Sequence, residues 1–168
     1  MTHTQKTKCR KLAVLILAVV VSASSFSQLK EVGPAPDWQT VGEVKWLKTT
    51  KARLQYTVQR TDTTYWLYLK DEKVLRNNRD MPVVNYFSIR FRDEGAALQA
   101  LETLLFSFFD GEGANDKAYE KTFWLGNTMV MVQHSPKIIG KAVMLTTKEG
   151  SVILTKNELK KLFGRKES

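Results

Sequence analysis

Cysteine and histidine are almost missing from this chain: Cys9 is the only cysteine, and His3 and His134 are the only histidines, among 168 residues. That scarcity excludes whole classes of chemistry. One thiol cannot close an internal disulfide, and one cysteine with two histidines cannot build a Cys/His transition-metal site. A nucleophile triad would have to draw on His134, and no G-x-S-x-G element accompanies it. His134 and the neighbouring Ser135 end a strand pattern, where successive side chains point to opposite faces, so they are not expected to touch. His134 reads as an ordinary loop histidine. The apolar run Leu12 to Val21 is only ten residues long, against about 20 needed to cross roughly 30 Å of hydrocarbon.

What is present begins with an address. Lys6, Lys8, Arg10 and Lys11 form a basic region, the apolar run follows, and Ser22 to Ser27 is rich in small residues. This is the three-part layout of a secretory signal peptide, with cleavage expected after Ser27. A lipoprotein is excluded, because Cys9 precedes the apolar run instead of following it. Cleavage would remove Cys9, His3 and four bases, leaving 141 residues with 22 bases and 17 acids, a net charge of +5 in place of +9. A chain of that length can bury one adequate core without disulfides. Export without cysteines points to the periplasm or cell envelope of a bacterium, or to release from the cell. No cofactor, metal, nucleic acid or further membrane-spanning segment is expected.

Organisation follows from periodicity. Residues 28–42 read as a flexible N-terminal segment, broken by Gly33-Pro34-Ala35-Pro36. Residues 43–164 read as one α+β domain, and 165–168 as a basic tail. Val44 to Leu47 is a weak strand. Arg53 to Arg60 alternates, with Leu54, Tyr56 and Val58 on one side and Arg53, Gln55, Thr57 and Gln59 on the other. Tyr65 to Lys70 would form a hairpin with it across Thr61-Asp62-Thr63. Phe87, Ile89 and Phe91 point inward on a further strand, with Tyr86, Ser88, Arg90 and Arg92 outward.

The main helix is expected over about 93–109, capped by Asp93 and ended by Gly111, with Leu98, Leu101, Leu105 and Phe108 on one face. Gly126-Asn127 suits a tight hairpin, a bulged continuous strand being the alternative, and Gly150 is expected in the left-handed region of the loop 148–150. Thr155 and Glu158 form a capping box for a short helix over about 156–163, with Leu154 and Leu159 as a staple. The fold class is therefore α+β: a mostly antiparallel sheet of about six to eight strands in hairpins, one helix packed on its face, and a short C-terminal helix.

Charge is segregated along the chain. Val44 to Thr61 holds five bases and no acid, Asp93 to Glu120 holds seven acids and one base, and Pro136 to Ser168 is basic. The glycine-rich stretch Asp110 to Asp116 lacks calcium-loop spacing, with Ala114 where an oxygen ligand would stand, and reads as a solvated connector. The remaining signal is cationic and aromatic. Arg53, Gln55, Arg90 and Arg92, with Trp66 and Tyr68 and with Trp46 nearby, would form a polar sheet face able to hold an anionic glycan, a lipid head group or an acidic protein surface. The competing view makes this the wet side of a sheet, with Trp66 and Tyr68 in the core. The leading expectation is an exported binding or interaction module that meets an envelope protein or anionic envelope component. An envelope hydrolase with paired carboxylates and a structural subunit of an envelope assembly are the alternatives.

Overall fold

The computed structural model describes residues 35–111, 113–136 and 141–165. The expected signal peptide, residues 28–34 and all of the basic tail but Arg165 lie outside the described residues. The strands are β1 (Gln39–Trp46), β2 (Thr49–Gln59), β3 (Asp62–Lys70), β4 (Leu75–Arg76), β5 (Pro82–Val83), β6 (Tyr86–Arg92), β7 (Glu120–Leu125), β8 (Thr128–His134), β9 (Ala142–Thr146) and β10 (Ser151–Thr155). Helix α1 is Ala97–Asp110 and α2 is Lys156–Leu162.

The class is α+β, and every pairing is antiparallel. Instead of one sheet, the eight longer strands form two sheets of four, ordered β1-β2-β3-β6 and β10-β9-β8-β7, with β4-β5 as a separate ribbon. The division has a simple cause. Within each sheet the strands follow one another in the chain, with only the β4–β5 ribbon inserted between β3 and β6, and α1 with its following loop separates the last strand of one sheet from the first strand of the other.

Both sheets contribute their inward side chains to one core. Leu54, Leu67, Leu69, Phe87, Ile89 and Phe91 come from the first sheet, and Val130, Val132, Val143, Leu145, Val152 and Leu154 from the second. Leu101, Leu105 and Phe108 of α1 and Leu159 and Leu162 of α2 complete it. Gly42 is required where α2 meets β1, because a Cβ there would stand 2.0 Å from the Lys161 carbonyl oxygen.

Several boundaries differ from expectation. β1 begins at Gln39, inside the segment expected to be flexible; register shifts at Thr40/Gly42 and Val44/Lys45 break its alternation and conceal it. The β2–β3 turn is the pair Arg60-Thr61, with Arg60 at φ 58°, and Asp62 already belongs to β3. Val58 is exposed next to that turn, whereas Thr57 is buried.

Helix α1 starts four residues late because Gly95 and Ala96 both adopt positive φ. Asp93 nevertheless accepts the Leu98 backbone N–H at 3.2 Å. Gly126 at φ 58° turns β7 into β8, as a tight hairpin. Gly150 is not left-handed; its lack of a side chain makes room for Phe87 and Asp71. The capping box of Thr155 and Glu158 forms as expected, and α2 ends in a Schellman motif, with Gly164 at φ 70° and the Arg165 and Gly164 N–H groups donating to Lys160 and Lys161.

Candidate binding site

Antiparallel register decides which side chains share a face, and on the first sheet it gathers the six nominated residues. Three cross-strand rows run Glu43–Arg53–Tyr68–Ser88, Thr40–Gln55–Trp66–Arg90 and Thr57–Thr64–Arg92. Arg53, Gln55, Trp66, Tyr68, Arg90 and Arg92 therefore project from one side, opposite the core residues Leu54, Leu67, Leu69 and Ile89. Trp66 and Tyr68 are half-buried on this outer face and are not part of the core.

The aromatic side chains form a chain of contacts. Trp38 meets Trp66 at 5.5 Å between centroids, Trp66 meets Tyr68 edge-on at 6.0 Å, and Tyr68 stacks on Tyr86 at 4.8 Å. The Arg90 guanidinium lies 5.0 Å from the Trp66 ring and 5.8 Å from Trp38, within cation–π range of both. Burial, with Tyr86 beside it, raises the Tyr68 phenol above its ordinary pKa, so it stays a neutral donor. The Trp66 indole N–H is buried and has no hydrogen-bond partner among the described residues. Such an orphan donor costs about 1–3 kcal/mol.

The cations are not equivalent. Arg53 donates from Nε at 3.0 Å and Nη2 at 2.5 Å to Glu43 Oε1, which also accepts from the Thr50 hydroxyl at 2.8 Å. Lys45 lies 3.2 Å from the other oxygen. The Arg53 guanidinium, with smaller help from Thr50 and Lys45, holds the Glu43 carboxyl down at about 2. Arg53 is thus largely neutralised. Arg90 and Arg92 have no carboxylate partner among the described residues, and both border a cleft of about 730 Å³ with Glu94, Trp124, Gly126 and Asn127.

Sequence reasoning missed Trp38 and Glu43. Trp38 lies close behind Gly33-Pro34-Ala35-Pro36, which predicts a flexible segment, and the β1 bulges conceal the pairing of Glu43. An acid ten residues before Arg53 across a short turn was the available signal.

The other candidates have structural roles. His134 Nε2 is 2.7 Å from the Gly113 carbonyl oxygen and its ring packs edge-on against Phe108, which ties the 110–116 loop to β8. Glu102 pairs with Arg165, Asp110 with Lys156, and Glu158 with Lys51, so the segregated charges meet between elements. Asp116 accepts its own loop's Ala118 N–H. Among the described residues no group of three or more His, Cys, Asp or Glu could hold a metal, and no helix is long and apolar enough to cross a membrane. Comparison of the chain with protein-family models, curated proteins and solved structures yields no match.

Proposed function

We propose that this chain is a binding module of the cell envelope and that the outer face of the first sheet holds an anionic glycan. The carrying observation is Arg90 lying over both Trp38 and Trp66, beside Arg92 and the open cleft. A sugar ring presents C–H groups to the negative face of an indole, and a guanidinium grips a carboxylate or sulfate in a two-pronged hydrogen bond. Gln55 and Ser88 flank the same rows and suit hydroxyl recognition. The basic, apolar and small-residue order of residues 6–27 supports an envelope address.

Titration calorimetry with a polyuronate and with a neutral glucan tests this. The polyuronate is expected to bind more tightly, and Arg90→Gln to weaken it roughly tenfold with an unchanged melting temperature. Equal binding of both polymers, or indifference to Arg90→Gln, refutes the assignment. A hydrolase reading can draw on the cavity of about 320 Å³ where the acids Asp62, Asp93 and Glu94 meet Arg92. Turnover of a glycosidase or esterase substrate that Glu94→Gln abolishes would establish it instead.

A further inference from the structure

Exposed apolar surface on this protein is concentrated at one place. Ten large hydrophobic side chains stand exposed among the described residues, and seven of them lie at a single end of the first sheet. Trp46 and Leu47 sit at the β1–β2 turn, and five more lie between Val74 and Val84, on and around the β4–β5 ribbon. Register brings these segments together, since β2 leaves the turn alongside the end of β3, from which the ribbon departs. Trp46, Lys70 and Val74 line one cavity of about 410 Å³, and Lys70 Nζ lies 4.8 Å above the Trp46 ring.

Leu47 is the most telling residue. It is 83% exposed and holds φ 55°, a left-handed conformation that glycine or asparagine adopts more cheaply. A leucine there carries backbone strain while most of its side chain stands in solvent. Around it the surface is basic. Residues 44–51 and 70–84 hold seven bases against three acids. Asp71 is buried and accepts the Lys73 and Ser151 backbone N–H groups, and Asp80 is paired with Arg76. Lys48, Lys73 and Arg79 have no ion-pair partner among the described residues.

We propose that this end docks on an anionic phospholipid bilayer, with Trp46 and Leu47 entering the headgroup boundary and the surrounding lysines reaching lipid phosphates. The composition favours a bilayer over a protein. The centre of a protein interface is depleted of lysine, whereas here lysines interleave with the apolar tips, and an indole with aliphatic tips and snorkelling cations is what the membrane boundary accommodates. The excess positive charge complements anionic headgroups. This surface shares no residue with the proposed glycan face.

The test uses the full chain and vesicles of phosphatidylcholine with about 30% phosphatidylglycerol, bromine-labelled on the acyl chains so that they quench only inserted indoles. The expected result is quenching that disappears in Trp46→Phe and falls at high salt. Leu47→Asn is expected to weaken vesicle binding about fivefold or more while leaving the melting temperature equal or higher, because asparagine relieves the turn. Arg90→Gln is expected to change neither quenching nor vesicle binding, which separates this proposal from the glycan assignment. Quenching identical in Trp46→Phe and the parent chain overturns the proposal. So does equal binding to vesicles with and without phosphatidylglycerol, or a protein that competes for this end where vesicles do not.

Discussion

The two four-stranded sheets are alike inside and unlike outside. Inward, both present branched and aromatic side chains to one core. Outward, the first sheet carries arginines, tyrosines and Trp66, whereas the second carries Trp124 with Met129, Thr122 with Met131, and Gln133 with Met144, with Glu120 at the end of the last row. The difference bears on the proposed binding function. Inner faces must satisfy packing and so resemble each other, while outer faces are free to diverge, and only one acquired cations and aromatic rings suited to an anionic ligand.

The largest effect expected concerns the likeness. Leu54→Ala in the first sheet and Leu145→Ala in the second, both at 1% exposure or less, should each cost about 2–5 kcal/mol in denaturant unfolding. A cost confined to one sheet would show that the two do not share a core. Next comes the joint between them. Gly126→Ala places a Cβ 2.3 Å from the Arg90 carbonyl oxygen at a position of positive φ, so a loss of at least about 1 kcal/mol should accompany weaker anionic-ligand binding, because the strand bearing Arg90 must shift.

Acid sensitivity separates the outer faces. The folded Glu43 carboxyl sits at about 2, below its ordinary 4.5, so its stabilising effect is complete above the ordinary value and fades as pH falls toward 2. Solvent reaches the pair, which limits the effect to about 1 kcal/mol. Glu43→Gln should flatten the stability profile between those two values, as read by melting temperature against pH. The smallest effect belongs to the second outer face. Met129→Gln with Met131→Gln should change stability by about 0.5 kcal/mol or less per site and leave polyuronate affinity untouched in calorimetry.

The same contrast explains what could be read from residues alone. In β6, apolar Phe87, Ile89 and Phe91 alternate with Ser88, Arg90 and Arg92, so face and strand were legible together, and the nominated residues fell on one side. In β10, Val152-Ile153-Leu154 is apolar throughout, and in β8 methionines alternate with valines. Periodicity there marks a strand but not its faces, and nothing local signals that these strands form a second sheet. Glu43 escaped for another reason: a bulge changes which residues are opposite, and only the folded register reveals the partner. Capping at Thr155 was legible because its hydrogen bonds span three residues. The start of α1 was not, because the left-handed pair Gly95-Ala96 obeys no strong residue preference at Ala96.

Gly42 has a consequence for the order of events in folding. Because β1 lies close against α2, the first strand of the domain is not complete until the last helix has arrived, and residues 42 and 161 stand at opposite ends of the described chain. A polypeptide emerging N-terminus first therefore leaves β1 without its α2 partner until residues 156–162 have been made. Closure of a loop that long is slow relative to local hairpin formation. Removing residues 156–165 should leave hairpins that form, a core uncovered where Leu159 and Leu162 had packed, and a product that associates with itself.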